Sequence, residues 1–403
     1  MSEVIQQICK PDLVFVAIDP VSLGQPYVLN LFAKLCETFS VKLVLPKNIE
    51  GRAGIIEKSP VRVFPNGLTS FRGNLIGGKL KSRIWHLSKI VKLTSPINSV
   101  PCRAIGEAAA SIQSLGIRNV VAIEYAALLA CGLAGVSAHF VSLELLQQRI
   151  ESLLVDSKII RSCMTQNWLR YLALFPCQKK IPCFIVPNFP PCRPVDARRT
   201  VRREGCILAG SALPGFGLDI IADYIKEYNK PVTFLGWSPP DLSGQLRRKG
   251  VTDSQMGRIT IESDFLSDEK FIERIAGHEF AFGLYDLSRA NDCFFGEGIG
   301  LLPWSAQNYI IGFPGKIGMC MNAGVPVITS NYPGTSFVNK FGVGVVIDEM
   351  SPAAINAASI KIRNAGDAMR SRCLDLAKEF CFNVHVAPFV DFIRAETAVA
   401  KGS

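Results

Sequence analysis

Short apolar, β-branched runs alternate with helix-length stretches along the whole chain, and a proline-dense seam divides that alternation in two. This rhythm limits the fold more than any single motif does. A run of four to six apolar residues between turn residues reads as a strand buried on both faces, and strands separated by helices read as parallel. In the first half the runs are Leu13–Ile18, Val41–Leu45, Val61–Phe64, Asn119–Ile123, His139–Leu143, Lys158–Met164 and Cys183–Val186. Helices are expected over about Tyr27–Glu37 and Tyr125–Gly132. The seam is Val186-Pro187-Asn188-Phe189-Pro190-Pro191-Cys192-Arg193-Pro194, followed by a charged stretch. Beyond it, strands are expected at Cys206–Gly210, Val232–Gly236, Ile259–Ile261, Phe280–Leu284, Pro326–Thr329 and Val343–Ile347. Helices are expected at Leu218–Tyr228, Asp268–Ala276, Lys316–Asn322 and from Pro352 onward. The predicted class is α/β: two Rossmann-like, doubly wound domains over 1–190 and 191–375, facing a cleft. A helical segment, 376–403, is expected to pack back on the first domain. Ligands of such sheets bind beyond the C-terminal ends of the strands, so those ends hold the candidate residues.

Composition narrows the class. The chain has 403 residues, 48% of them hydrophobic, which is enough for two cores. No run of about 18 uncharged apolar residues occurs, so no transmembrane helix is predicted. The N-terminus shows no signal-peptide layout. None of the 13 cysteines forms a C-x-x-C pair, which points to reduced thiols and a cytoplasmic setting. The four histidines have no ligand spacing, and neither a metal nor a cofactor is expected. The net charge of +10 is carried by one half: residues 1–190 hold 21 Lys/Arg against 11 Asp/Glu, and the remainder is balanced. A basic field on one domain suits an anionic partner there. Within it, 78–93 reads as a basic amphipathic helix. Lys79, Lys81, Arg83, Lys89 and Lys92 with Trp85 would suit an anionic membrane surface on the inner face, or the stripe could simply pack on the core. No nucleic-acid module is present.

Four places carry candidate chemistry. Gly312-Phe313-Pro314-Gly315-Lys316 opens a short helix that ends at Gly324 and runs into a buried strand. A helix start with a lysine is an anion site, and its position late in the chain suits the diphosphate of a nucleotide-linked donor. The other reading is a surface lysine on a buried helix. Gly210-Ser211-Ala212-Leu213-Pro214-Gly215-Phe216-Gly217 joins the first strand and helix of the second domain, either as a phosphate-approaching loop or as a plain turn. Tyr285 and Asp286 end a buried strand and would face the cleft or cap the next helix. Glu124 and Glu144 end strands of the first domain, where a carboxylate serves as a base, an acceptor-binding group, a cap or an ion-pair partner.

These residues resemble those of the GT-B glycosyltransferases, and most closely the retaining family 4 group. Pro314 and Lys316 through Ala323-Gly324-Val325-Pro326-Val327-Ile328 match that group's most diagnostic run. Val186-Pro187-Asn188 is similar to its interdomain segment, and Gly210-Ser211 to its first strand-loop junction. The strand ending in Gly236 is similar to its second, and Asp264-Phe265-Leu266 resembles the segment that contacts the base. The group's two glutamates, eight positions apart, fall at Ile311 and Met319, and its basic pair is absent from the loop after Gly210. The resemblance implies a nucleotide-sugar donor, transfer with retention, and a glycan or lipid-linked acceptor on the first domain. It puts Gly210, Ser211, Gly315 and Lys316 on the diphosphate. Tyr285 and Asp286 go to the sugar or nucleotide. Gly236, Phe265, Leu266, Pro314 and Met319 join the donor site, and Glu124 and Glu144 the acceptor side. Two alternatives stay open: a catalytically inactive module that binds a glycan or protein, and a nucleotide-sugar epimerase.

Overall fold

The computed structural model describes residues 12–18, 26–45, 102–143, 159–175, 181–191, 203–263, 266, 268–287 and 310–402. The strand expected at 61–64, the basic stretch 78–93, Glu144 and Phe265 lie outside the described residues. The chain divides into two compact units. One runs up to Val186 and includes the segment from Val386; the other is Pro187–His385. The division falls at the start of the proline seam rather than after 190, and the second unit extends to His385 rather than 375.

The first unit contains β1 (Leu13–Ala17), α1 (Pro26–Cys36), β2 (Val41–Val44), α2 (Cys102–Leu115), β3 (Val120–Ile123), α3 (Glu124–Ala134), β4 (Ala138–Ser142), β5 (Ile160–Thr165), α4 (Trp168–Leu174) and β6 (Cys183–Ile185). All pairings are parallel, in the order β2-β1-β3-β4-β5-β6. Every residue of β1 and β3 is buried, as strands covered on both faces require. The Tyr27 hydroxyl, at the start of α1, donates to the Val186 carbonyl at 2.9 Å, tying that helix to the end of the sheet.

The second unit contains β7 (Cys206–Ala209), α5 (Leu218–Tyr228), β8 (Val232–Leu235), α6 (Leu242–Arg248), α7 (Asp253–Met256), β9 (Ile259–Glu262), α8 (Asp268–Ala276), β10 (Phe280–Gly283), α9 (Gly315–Asn322), β11 (Val327–Ser330), α10 (Phe337–Phe341), β12 (Gly344–Ile347) and α11 (Pro352–Glu379). Its sheet is also parallel, in the order β12-β11-β10-β7-β8-β9. The winding starts at β7, moves outward through β8 and β9, then returns to β10 and moves the other way. The switch point therefore lies between β7 and β10, where a doubly wound sheet opens a crevice at its C-terminal edge.

Side-chain alternation builds one core on each face of this sheet. Cys206, Leu208, Phe280, Phe282 and Ile328 enter one apolar cluster. Their neighbours Ile207, Ala209, Ala281 and Val327 enter the other. The stretch from Pro352 serves both faces because it is broken. Gly366 has φ 51° and ψ −133°, outside helical values. Ile355, Ala358 and Ile362 precede the break and pack in the first cluster. Cys373, Leu376 and Ala377 follow it and pack in the second. A last helix, α12 (Phe382–Gly402), supplies the segment that belongs to the first unit. There Phe389 and Phe392 meet the rings of His139 and Phe184.

Both sheets match the expected α/β class. The helices α2, α4, α6, α7 and α10 were not expected. Pro239, Pro240 and Asp241 dominate the approach to α6 as turn signals, and seven residues are too few to establish a helical period.

Candidate donor site at the β7–β10 switch point

The site begins with two glycines. Gly210 and Gly236 each follow the last residue of a strand, and each has φ +115°. A side chain rarely adopts that conformation. At Gly236 space forbids it as well, since a Cβ there would lie 2.7 Å from the Gly210 carbonyl oxygen. The Gly210 N–H donates to the Leu235 carbonyl and the Gly236 N–H to the Glu262 carbonyl, both at 2.8 Å. The C-terminal edge over β7 and β8 is therefore glycine backbone without side chains of its own.

Beyond Gly210 the loop turns at Pro214–Phe216 and enters α5 through Gly217, whose φ is +78°. The end of β10 lies against this loop. The Asp286 N–H donates to the Gly215 carbonyl at 2.9 Å. The Tyr285 N–H donates to Ser330 Oγ at 2.9 Å, and the Ser330 hydroxyl and Tyr332 hydroxyl reach the Tyr285 carbonyl at 3.0 and 3.3 Å. These bonds fix the Tyr285 ring edge-on to Phe216, with centroids 5.6 Å apart.

Lys316 enters between those rings from the first turn of α9. Its Nζ lies 4.4 Å from the centroid of Phe216 and 4.4 Å from that of Tyr285. Its stem passes over Gly210, with Cδ 3.9 Å from where a Cβ would stand. A lysine at a helix start opposes the helix dipole by about 0.3–1 kcal/mol. Two cation–π contacts, each worth about 0.5–2 kcal/mol, offset that cost. The two rings thus help hold the ammonium at the helix start, which the sequence alone does not suggest. Burial pushes the thiol of Cys320, one turn further along α9, up to about 12, and the Lys316 charge acts in the opposite direction.

The helix start is positioned by the seam. A Cβ at Gly315 would stand 2.8 Å from Asn188 Nδ2, and one at Gly318 would stand 3.0 Å from the Asn188 carbonyl oxygen. Only glycine lets residues 188–189 press on this face of α9. Phe189 then packs on Phe313 and Phe380, at 5.2 and 5.6 Å between centroids. Pro314 is the N-cap residue of α9.

The remaining candidates divide between rim and core. Ser211 and Asp286 are half-buried at the strand ends. Leu266 packs against the apolar cluster that holds Ile207, Leu235 and Ala281. Met319 is 8% exposed and belongs to that same cluster, while Ile311 is half-buried beside Gly334. The structure thus brings Gly210, Ser211, Gly236, Tyr285, Asp286, Pro314, Gly315 and Lys316 to one edge of one sheet. Phe216 belongs with them; its loop was legible in the sequence, but nothing there marks that residue as a wall for Lys316.

The first unit treats its candidate differently. Glu124 is 1% exposed and has φ +60°, a left-handed conformation uncommon for a side-chain-bearing residue. Its Oε1 accepts the Leu143 N–H at 3.1 Å, so the carboxylate turns inward and joins the ends of β3 and β4. Among the described residues no group of three or more His, Cys, Asp or Glu side chains is placed to hold a metal. No described helix is long and apolar enough to cross a membrane.

No family model matches the chain, and no curated protein sequence matches it. Solved structures do. The Anabaena protein HepE, in complex with UDP and glucose, is 11% identical with a TM-score of 0.61, covering 97% of this chain and 99% of its own. Sucrose-phosphate synthase from Thermosynechococcus elongatus is 12% identical with a TM-score of 0.61, over 96% and 99%. AviGT4, a glycosyltransferase of avilamycin A biosynthesis, is 12% identical with a TM-score of 0.53, over 96% and 98%. At these identities the likeness establishes the fold: two Rossmann-like domains of the GT-B type.

Proposed function

We propose that the chain is a glycosyltransferase that binds a nucleotide-sugar donor at the β7–β10 edge. One observation carries the reading. A lysine on a helix start is held over bare glycine backbone at the switch point of a doubly wound sheet. The solved complexes of HepE with UDP-glucose and UDP, on the same fold, support it.

In this reading the Gly210 and Ser211 loop, Gly315 and Lys316 receive the diphosphate. Tyr285 and Asp286 flank the sugar or nucleotide. Lys316 and the N-terminal N–H groups of α9 stabilise the negative charge that grows on the leaving diphosphate, so rate comes from positioning and electrostatics. Retention follows from the family 4 resemblance. The acceptor, a glycan or a lipid-linked glycan, is assigned to the first unit, whose excess of positive charge suits a phosphorylated carrier. Glu144 remains the acceptor-side carboxylate in this scheme, since Glu124 has a scaffolding contact.

Titration calorimetry with UDP, ADP and GDP tests the donor site. At least one should bind, and Lys316→Ala should weaken it roughly 10- to 100-fold, the worth of a charge-assisted contact. Failure of all three to bind would remove the enzyme reading. Ile311 and Met319, where the resemblance expects carboxylates, favour a second reading: a module that binds nucleotide without turning it over. Release of nucleoside diphosphate from a sugar donor in the presence of acceptor extracts separates the two. Conversion of the donor sugar without any acceptor would instead indicate an epimerase.

A further inference from the structure

Trp237 stands at the C-terminal end of β8, immediately after Gly236, and its side chain is 57% exposed. Among the described residues of the second unit, no other large aromatic side chain is this exposed. Tryptophan is highly buried on average; among the described residues Trp168 of the first unit, at 59%, is the other exposed one. The backbone beneath it is fixed on both sides. Gly236 is pressed against the Gly210 carbonyl, and the Trp237 carbonyl accepts the Ala212 N–H at 2.9 Å. The next residue, Ser238, shares a hydrogen bond with Ser263 at 2.7 Å, and Pro239 and Pro240 follow.

We propose that the Trp237 indole is the platform on which the donor's nucleobase stacks; this rests on the donor-site reading above. Contacts run in sequence from the Lys316 stem to Gly210, from Gly210 to Gly236, and from there to Trp237. Neighbouring strands are about 4.8 Å apart, so the indole begins one strand to the side of the cation. A ribose separates base from diphosphate by one to two such spacings. A nucleoside diphosphate with its phosphates at Lys316 therefore carries its base across β8, over the indole. Because every base has a π-face, the platform sets affinity for nucleotides as a class rather than choice among bases.

The test is titration calorimetry of UDP, ADP and inorganic pyrophosphate against the wild-type chain, Trp237→Ala, Trp237→Phe and Lys316→Ala. Trp237→Ala should weaken UDP and ADP roughly 5- to 150-fold, the usual worth of a base stack, and leave pyrophosphate within about twofold. Trp237→Phe should retain most of the nucleotide affinity. Lys316→Ala should weaken all three ligands. Unchanged nucleotide affinity in Trp237→Ala would overturn the platform and leave the donor site standing. An equal loss of pyrophosphate would also overturn it, by showing that the substitution disturbs the Gly210 loop. No binding of any probe by the wild-type chain would overturn the donor site and the platform together. The melting temperature of Trp237→Ala should match the wild type, since the side chain is exposed.

Discussion

At the β3–β4 ends of the first unit, Glu124 is buried and bonded to the Leu143 N–H. At the β7–β10 ends of the second, Lys316 is half-buried and lies between two rings above a glycine. Both sheets are parallel, yet their polar groups are packed differently. His139 extends the pattern in the first unit. It is fully buried on β4, with one ring nitrogen 2.9 Å from Ser162 Oγ and the other 3.0 Å from Asn119 Oδ1. Asn119 in turn donates to Thr397 on α12, and Arg161 reaches Glu396 at 3.3 Å. A closed polar network of this kind specifies a unique packing. Lys316 instead lies among aromatic rings over half-buried glycine backbone.

The largest expected effect is on the first unit and is read by pH. Burial, with the Arg161 charge adding to it, holds the His139 imidazole down at about 3, against an ordinary value near 6.5. Above pH 6.5 the ring is neutral in both folded and unfolded chains and costs nothing. As pH falls below 6.5 the unfolded chain takes up the proton and the folded one does not. Stability is therefore lost by about 1.4 kcal/mol per pH unit, down to pH about 3. Hydrogen-exchange protection, corrected for intrinsic rates, should fall across β3–β5 between pH 7 and pH 4. In His139→Gln that slope should flatten. A fall of equal size in β7–β10, abolished by the same substitution, would contradict the division of duties.

The next effect comes from the two kinds of glycine. Gly236→Ala puts a Cβ 2.7 Å from a carbonyl oxygen at φ +115°, and should cost on the order of 2–3 kcal/mol together with nucleotide affinity. Gly116→Ala, after α2 in the first unit, meets nothing within 4 Å at φ +58° and should cost about 1 kcal/mol. Thermal melts and UDP titrations of both variants test this. Equal losses of binding would mean that the β7–β8 edge has no special part in it.

The strands of both sheets were legible because strands buried on both faces leave unbroken apolar runs, and Gly324 and Pro326 punctuate the helix-to-strand passage at α9. The place of Lys316 at a helix start was legible from the same punctuation. The aromatic walls were not. Phe216 and Tyr285 are 69 positions apart, and only the adjacency of β7 and β10 brings them together. Glu124 misled for a related reason: a carboxylate at a strand end looks the same in sequence whether it faces solvent or its neighbouring strand. Trp237 carried no periodic signal, because its exposure depends on the turn that Gly236 allows.

The smallest effect tests how much of Tyr285 is wall and how much is ligand contact. Its backbone is fixed by Ser330 and Tyr332, so the ring stays in place whatever the para substituent. Tyr285→Phe keeps the π-face 4.4 Å from Lys316 Nζ and should hold UDP affinity within about twofold. Tyr285→Leu removes the face, frees the ammonium to leave the Gly210 edge, and should weaken UDP roughly three- to tenfold. A large loss in Tyr285→Phe would show that the hydroxyl itself meets the nucleotide. No loss in Tyr285→Leu would show that Phe216 alone positions Lys316. The two variants bear on the contrast with Glu124, whose duty is complete without a ligand. If neither Tyr285 variant changes binding while both change the melt, the second unit's switch point is scaffolding, like the β3–β4 ends of the first.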